Sequence, residues 1–442
     1  MDVERIVGKA VTLGASEAEV YFARSSETIL ELSKVVEASK SVTLSSLGIR
    51  VVVGKSVATV GTQNLSDEGI EKALESALSI ARVTPPDPKW VSVNSRVSLS
   101  HVGGLFDRDT AEATSEDLSL VARDLLGSVK EGCKDAEPVR GAVATRSVEI
   151  TYMNTYGGPI TRSETLSNLY IYAKVSEGGR TGTYNEYDVR RSLRELKARE
   201  VGIKAGVKAR EFVNARQLPN GDYELILFNR VTASILFTML ASSISALNVQ
   251  QGRSPLAGRL GEALMSEDLT VVDLGASDNV LGSKQFDDEG HPTSNLAIVE
   301  KGVLKTYLYD TYTALREGRE STGNAARTYT SGPIPQPHHL HLKPGKVPLD
   351  DIIHETKDGV LVMITIGEWL SNPVSGHLNA TITHAYVIRD GELFKPVKDA
   401  VISSNIYELL KSKLEVVGND VRYNYGVSTP SLKFSNVRVA GK

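Results

Sequence analysis

A short run of histidines is the first feature of this sequence that could do chemistry. In the segment Pro337–His341, an extended chain would place His339 and His341 on one face, which is a spacing that metal ligands use. No cysteine accompanies them, and the nearest carboxylates in sequence are at 350–351. We therefore interpret His338, His339 and His341 as a polar cluster on a sheet surface, while an unorthodox metal site built from them stays open.

Two polar loops could hold a cation or a peptide. The segment Phe286–Pro292 places three carboxylates before a Gly-x-Pro turn, and such a cluster can bind a divalent cation or shift the pKa of one carboxyl group. The same acids could instead accept backbone N–H bonds within the loop. The small-residue segment Ser321–Arg327 could hold a peptide backbone or a carboxylate, or it could be a tight connection. The candidate residues for a peptide-binding cleft or its support are Asp287, Asp288, Glu289, Ser321, Gly323 and Asn324.

These candidates need rigid elements to position them, and the segment Asn229–Leu247 is predicted to be the central one. Apolar residues recur along it with the spacing of a helix that buries one wide face. The apolar positions are Val231, Ile235, Leu236, Met239, Leu240, Ile244 and Leu247. The segment contains no His, Asp, Glu or Cys, so the sequence predicts that it holds no metal ion.

The composition is that of an ordinary globular protein, and it argues against several functional classes. The chain has 442 residues, of which 41% are hydrophobic and 24% charged, with a formal net charge of −4. Lys and Arg are scattered, so no basic face for nucleic acid is expected. One cysteine, Cys133, excludes an internal disulfide framework and suits a reducing compartment. With no signal peptide and no apolar run of ~20 residues, we expect a cytoplasmic protein that does not enter a membrane.

The order of the predicted elements indicates an α+β fold in three parts. Residues 1–88 are predicted to form an N-terminal α+β module, which ends at a proline-rich linker. Residues 89–217 are predicted to form a second N-terminal α/β segment with a long hairpin. Residues 218–442 are rich in Gly and short strands. This pattern predicts a C-terminal domain dominated by mostly antiparallel sheet with packed helices.

Beyond these single features, motifs along nearly the whole chain resemble the TldD/PmbA family, in which PmbA is also called TldE. The resemblance is densest in the segments Gly282–Pro292, Glu300–Leu304, Tyr307–Asp310 and Ser321–Ala325. The N-terminal segment Leu47–Val51 fits as well. Together these motifs are far more specific than any single short one.

The resemblance implies a molecule with an α+β N-terminal region and a sheet-rich C-terminal domain that assembles as a dimer. Family members act in a cytosolic zinc metalloprotease that degrades unfolded or small peptides, and older labels describe them as modulators of DNA gyrase. The TldD type carries zinc on a His-Glu-x-x-x-His helix. A cysteine in a Cys-Gly-Lys loop near the C-terminus supplies a third ligand.

The positions that match this zinc motif carry other residues here. Phe237 and Ser242 stand in place of the two histidines, and Thr238 stands in place of the glutamate. The Cys-Gly-Lys loop is missing between Asp420 and Pro430. Zinc hydrolysis needs several protein ligands and a base beside the open coordination position. The resemblance therefore implies the PmbA/TldE type, with no catalytic residues and no metal of its own.

We accordingly expect a non-catalytic subunit that handles extended or unfolded peptides. It would form a heterodimer with a TldD-like partner that carries the zinc, and it could form a homodimer in isolation. Two alternatives stay open. A stand-alone metallopeptidase would use His338, His339 and His341 with an acidic partner. A regulator of a nucleic-acid enzyme such as DNA gyrase rests on the older family labels alone, and no nucleic-acid binding is expected.

Overall fold

The computed structural model describes residues 1–441, and its N-terminal region combines long strands with a few helices. The helices of this region are α1 (Val3–Thr12), α2 (Asp67–Val83), α3 (Arg108–Ala111), α4 (Ser115–Gly132) and α5 (Ala198–Glu211). Its strands are β1 (Glu17–Leu32), β2 (Val36–Val53), β3 (Ser56–Thr62), β4 (Glu137–Asn154), β5 (Gly157–Glu177) and β6 (Arg180–Arg190). Across residues 1–441, no helix has both the length and the apolarity that crossing a membrane requires.

The six N-terminal strands form one antiparallel sheet in the order β3-β2-β1-β4-β5-β6. Strand β1 pairs with β4, so strands from both of the first two predicted segments belong to this sheet. The division of the chain at residues 88 and 217 stays a prediction.

Helices cover one face of this sheet because apolar side chains alternate along its strands. Val20 on β1 and Ile49 on β2 share a core cluster with residues of α1 and α2. Leu30, further along β1, belongs to a second cluster with α4 and α5. Helix α2 begins after Ser66, whose hydroxyl accepts a hydrogen bond from the Gly69 N–H and so caps the helix. The opposite face of the sheet is left to contact the C-terminal region.

The C-terminal region contains short helices and many short strands. Its helices are α6 (Asn229–Leu240), α7 (Ala246–Gln250), α8 (Thr311–Leu315), α9 (Leu349–His354) and α10 (Ile406–Glu408). Its first strands are β7 (Arg216–Gln217), β8 (Gly221–Leu227), β9 (Val271–Leu274), β10 (Asn295–Glu300), β11 (Val303–Leu304), β12 (Ala325–Ala326), β13 (Ile334–Pro335) and β14 (Leu340–Leu342). The remaining strands are β15 (Asp358–Ile366), β16 (His377–Arg389), β17 (Glu392–Lys398), β18 (Ala400–Asn405), β19 (Leu414–Val417), β20 (Arg422–Asn424), β21 (Val427–Thr429) and β22 (Leu432–Ala440).

Two sheets organise this region. The larger one follows the order β15-β8-β22-β18-β16-β17-β7, with β19 added beside β22, and the smaller one follows β11-β10-β9-β14-β21-β20. One core cluster contains residues of both sheets together with the apolar face of α6. Most strand pairs are antiparallel, and the parallel pairs are β15–β8, β17–β7 and β14–β21. The predicted α+β class with a mostly antiparallel C-terminal domain is therefore confirmed.

The central helix is shorter than its apolar spacing predicts. Helix α6 ends at Leu240, the chain then turns, and α7 begins at Ala246. The hydroxyl of Ser243 donates to the carbonyl of Met239 at 2.8 Å, and such serine bonds to the preceding turn compete with helix continuation. Ser245 is already extended and forms a bridge with Leu308. The prediction of one helix over Asn229–Leu247 is wrong beyond Leu240.

Gly48 lies where the uncovered face of the N-terminal sheet touches the C-terminal region. A Cβ atom at this position would stand 2.6 Å from the carbonyl oxygen of Tyr329, well inside van der Waals contact. We expect Gly48→Ala to lower the free energy of unfolding by about 1–3 kcal/mol through overpacking, as measured by urea unfolding. Gly8→Ala is the control, since nothing lies within 4 Å of a Cβ there, and it should be neutral or stabilise α1 by about 1 kcal/mol. Equal losses in the two variants would contradict this account.

Candidate functional site

Phe237, Thr238 and Ser242, which the resemblance places at the zinc-motif positions, lie on the outer side of α6 and just beyond its end. Phe237 is 43% exposed, and Thr238 beside it is half-buried. Ser242 is exposed and follows the last helical residue, Leu240, in the turn. The opposite side of the helix supplies the apolar contacts to the core, so these three positions are free of any packing role in the C-terminal core.

The hairpin of β20 and β21 folds against this part of α6. A Cβ atom on Gly426, in the hairpin turn, would lie 3.8 Å from Cε2 of Phe237 and 3.9 Å from the carbonyl oxygen of His338. The Leu340 N–H donates to the Gly426 carbonyl at 2.9 Å. Helix α6, the β20–β21 hairpin and strand β14 therefore meet at one place. This is where the sequence predicts the altered zinc helix and the missing Cys-Gly-Lys loop, which are distant along the chain.

The histidine cluster lies beside this meeting point, and four of its six ring nitrogens are engaged in hydrogen bonds. Nδ1 of His339 lies 2.6 Å from the carbonyl oxygen of Leu281, so Nδ1 must carry the proton. Nε2 of His339 therefore accepts from the hydroxyl of Ser428 at 2.8 Å, and Ser428 in turn accepts from Nδ1 of His341 at 2.8 Å. Burial lowers the pKa of His339 to about 4, so the ring is neutral at physiological pH.

The donor atoms that α6 and the β20–β21 hairpin offer do not fit a zinc ion. Zinc in proteins is bound by imidazole, thiolate or carboxylate groups, whereas Phe237 offers a phenyl ring and Thr238 and Ser242 offer neutral hydroxyls. Within residues 1–441, no group of three or more His, Cys, Asp or Glu side chains is arranged to hold a metal ion. The phenyl ring and the hydroxyl groups of these residues can pack against other groups and bind them through hydrogen bonds.

Asp287 ties together the two polar loops that the sequence singled out. One of its carboxylate oxygens accepts from the N–H groups of Glu289 and His291, and the other accepts from the N–H of Ala325 at 2.9 Å. Burial and the charge of Glu289 raise the pKa of Asp287 well above its ordinary value. The carboxylate lies inside the junction of the loops, where it orders both of them.

Asp288 connects the acidic loop and the segment after Asn324 to the N-terminal sheet. The carboxylate of Asp288 accepts from the Arg162 guanidinium at 2.6 Å and from the Arg327 N–H at 2.9 Å. Burial opposes the charged form, but the positive charges of Lys284 and Arg162 lower the pKa of Asp288 to about 2. The ionised carboxylate therefore connects β5 to two loops of the C-terminal region.

A buried network of charges joins the third carboxylate, Glu289, to the strands of the N-terminal sheet. The Arg50 guanidinium on β2 donates to Glu19 at 2.9 Å and to Glu289 at 3.0 Å. Glu19 also accepts from the Tyr152 hydroxyl at 2.8 Å and pairs with Arg327. The side chains of Glu19 and Glu289 are 0% and 1% exposed. Buried charges of this kind persist only because each is paired and hydrogen-bonded.

The second loop lies close to the histidine cluster. The amide of Asn324 donates to Asp273 at 2.6 Å, and the other oxygen of Asp273 accepts from the His338 and His339 N–H groups. The imidazole of His338 donates through Nε2 to the carbonyl of Gly323 at 2.6 Å. Ser321 lies at the edge of the loop, and its hydroxyl donates to the Tyr309 carbonyl. The structure thus brings the acidic loop, the Ser321–Arg327 loop and the histidines into one continuous region.

Contact of a peptide with Asp287, Asp288, Glu289, Ser321, Gly323 or Asn324 stays a prediction. Sequence reasoning missed Glu19, Arg50, Arg162 and Asp273, although two of them left a signal. Arg50 interrupts the apolar run Leu47–Val53, and Asp273 follows two valines on β9. A lone charge in an otherwise buried strand must find a partner, so it predicts a contact without naming the other residue.

Comparison with known proteins places this chain among metallopeptidase relatives over its whole length. Residues 220–441 match the PmbA/TldA metallopeptidase C-terminal domain, and residues 18–81 match PmbA/TldA metallopeptidase domain 1. An uncharacterised protein of Methanocaldococcus jannaschii is 27% identical over 98% of this chain and 99% of its own length. The metalloprotease PmbA homologue of Haemophilus influenzae is 25% identical over 89% of this chain and 85% of its own. The crystal structure of TldE from Thermococcus kodakarensis superposes with a TM-score of 0.89 at 25% identity, covering 99% of both chains.

Proposed function

Because the chain belongs to the PmbA/TldD metallopeptidase family, we propose that it is a non-catalytic subunit of a TldD/TldE-type peptidase complex. The observation that carries this proposal is the set of donor atoms where α6 meets the β20–β21 hairpin. The resemblance places Phe237, Thr238 and Ser242 at the zinc-helix positions, and a Cβ atom on Gly426 of the hairpin would lie 3.8 Å from Cε2 of Phe237. Neither side of this contact offers an imidazole, a thiolate or a carboxylate.

In this proposal the hydrolytic step belongs to a partner subunit of the TldD type that carries zinc. This chain would form a cytoplasmic heterodimer with it and help to enclose a chamber that admits extended or unfolded peptides. The sheets support this role, because an extended peptide can add to a sheet edge through its backbone and be held with little dependence on sequence. Strands β3 and β6 form the two edges of the N-terminal sheet.

The proposal predicts that zinc and hydrolytic activity belong to the partner subunit and not to this chain. The purified full-length chain should contain no stoichiometric zinc by elemental analysis and should not hydrolyse an unfolded peptide substrate. Hydrolysis should appear when the TldD-type homologue from the same organism is added, and a chelator should abolish it. The homologue assayed without this chain is the control for activity that needs no partner.

The opposite result would support a stand-alone enzyme. Stoichiometric zinc and hydrolysis in the isolated chain would overturn the proposal, and the variant His339→Gln would then show whether the histidine cluster is responsible. If that activity survived in His339→Gln, a different site would have to carry it.

A further inference from the structure

A polar pocket lies between the uncovered face of the N-terminal sheet and the loops of the C-terminal region. Its volume is about 270 Å³, and its floor is formed by strands β1, β4 and β5. Lys284 and Asp288 contribute from the acidic-loop side, and Tyr425 contributes from the turn of the β20–β21 hairpin. Among residues 1–441, those that line this pocket include no histidine and no residue of α6.

Positive charge exceeds negative charge around this pocket. Its cationic side chains are Arg146, Arg162, Arg191, Lys284 and Arg327. Only two carboxylates line it, and each already has an arginine partner, Asp288 with Arg162 at 2.6 Å and Glu164 with Arg191 at 3.4 Å. Glu19 pairs with Arg327 behind the lining, so five cations stand against three carboxylates. The excess leaves a positive field in a site that is partly shielded from water, which favours an anion.

Two of these cations have no strong carboxylate contact of their own. Nζ of Lys284 lies 3.9 Å from Oδ1 of Asp288, which already accepts from Arg162. Nε of Arg146 donates to the neutral hydroxyl of Ser25 at 3.0 Å. Arg146 is exposed, and the Lys284 side chain is 17% exposed. Both charges are thus available to a group that enters from outside.

Deeper in the pocket, Arg327 has hydrogen-bonding capacity that the protein does not use. Its side chain is 0% exposed and pairs with Glu19, yet its Nε and Nη2 have no hydrogen-bond partner among residues 1–441. Glu19 is itself shared with Arg50, so it compensates Arg327 only in part. Buried guanidinium nitrogens without an acceptor are uncommon in folded proteins, because each costs the free energy of its lost hydration.

We propose that this pocket binds the carboxylate of a peptide, either at its C-terminus or on an acidic side chain. The cations provide the charge-assisted donors that a carboxylate prefers, and the buried Tyr21 phenol lies beside them. Val148, Ile150 and Leu166 form an apolar wall in the same pocket, which suits the hydrocarbon part of the residue that bears the carboxylate. A free phosphate ion would leave that wall unused. The inference rests on the proposed function, and it names the group by which a bound peptide is oriented.

Two versions of one peptide test this assignment on the full-length chain. A short, neutral, unstructured peptide labelled at its N-terminus is prepared with a free C-terminal carboxylate and with a C-terminal amide, and binding is followed by fluorescence anisotropy. We expect the acid to bind about tenfold more tightly than the amide, since one charge-assisted contact is at stake. Lys284→Gln and Arg146→Gln should each reduce this preference severalfold.

Arg24→Gln is the matched control. Arg24 is exposed on β1, and it lies on the opposite face from Tyr21 because side chains alternate along a strand. Its replacement removes the same charge from the same sheet and should leave the preference for the acid unchanged. Circular dichroism of all three variants establishes that each is folded as the unsubstituted chain is.

The remaining outcomes separate this inference from the proposed function. If acid and amide bind equally, the carboxylate assignment is overturned while peptide binding by the subunit stands. If neither peptide binds, both the inference and the proposed handling of peptides by this chain fail. If inorganic phosphate raises Tm in the unsubstituted chain and not in Lys284→Gln, without any preference for the acid peptide, the pocket is a site for free anions and the peptide assignment is wrong.

Discussion

Replacing Arg50 with methionine should lower the free energy of unfolding by about 3–5 kcal/mol, the largest effect that we expect from a single substitution in this chain. Arg50 lies between Glu19 and Glu289, which are both buried and both bonded to its guanidinium. Methionine fills much of the same volume but leaves these two carboxylates without their shared cation. An uncompensated buried charge costs far more than a lost surface contact. Urea unfolding followed by circular dichroism measures the difference.

The exposed pair of Lys40 and Glu31 offers a matched control on the same sheet. Lys40→Met removes one partner of a contact in which both side chains are about half exposed, and it should change the free energy of unfolding by less than about 1 kcal/mol. The double variant Arg50→Met with Glu289→Gln should recover part of the loss, because Glu289 would otherwise keep a buried charge without a cation, whereas Glu19 still pairs with Arg327. A loss below about 1 kcal/mol for Arg50→Met would show that the network does not stabilise the junction.

The stability of the protein should fall as the pH rises toward 8, and Asp310→Asn should remove much of that fall. Burial, together with the charge of Glu289, raises the pKa of Asp310 to about 7 from its ordinary value of 3.8. A carboxyl group with a raised folded pKa stabilises the fold in its protonated form. This contribution is complete below about pH 3.8 and is lost as the pH rises through about 7.

Histidines with lowered pKa values make the protein less stable as the pH falls, which is opposite to the effect of Asp310 and covers a different range of pH. Burial lowers the pKa of His339 to about 4, so its contribution is present above its ordinary value of 6.5 and is lost as the pH falls toward 4. Measuring the chain and its Asp310→Asn variant at each pH cancels this contribution, since both carry the same histidines. Only the difference between the two reports on Asp310.

We expect the stability of Asp310→Asn relative to the unsubstituted chain to increase by roughly 2–3 kcal/mol between about pH 5 and about pH 8. The amide keeps an oxygen that can accept from the Thr313 N–H, as Asp310 does at 2.8 Å, so the cap of α8 is retained. Asp2→Asn, at the exposed N-cap of α1, controls for the general effect of this substitution at a helix start. A stability difference that is independent of pH would contradict a raised pKa at Asp310.

Much of the fold follows from local patterns in the sequence. The buried residues of α1, α2 and α4 recur at helical spacing, and side-chain caps begin α2 at Ser66 and α4 at Thr114. These features depend on residues within a few positions of each other, which is why they can be read from one chain. The end of α6 could not be predicted in this way. The apolar spacing continues to Leu247, whereas Ser245 is held in a bridge with Leu308, 63 positions away.

The candidate site also has features that local sequence patterns predict and features that depend on distant contacts. The sequence singles out the acidic loop and the Ser321–Arg327 loop as unusual, but it leaves open whether their carboxylates face a cleft. The structure places Asp287, Asp288 and Glu289 inside the junction with the N-terminal sheet, where each accepts hydrogen bonds from protein groups. Arg50 and Glu289 are 239 positions apart, and no pattern within either segment specifies the other.

By itself, the sequence determined which segments can form helices and strands, and its family resemblance predicts which residues stand at the zinc-motif positions. The sequence gives the side-chain identities directly, and local periodicity depends only on neighbouring residues. Both can therefore be read without a structure. Tertiary packing alone decided that the β20–β21 hairpin approaches α6 at Phe237. It alone decided that cations from β4, β5, the segment after β6 and two distant loops surround one pocket. These contacts join residues that are far apart in the chain. They form only when the surrounding residues are buried together in the folded protein.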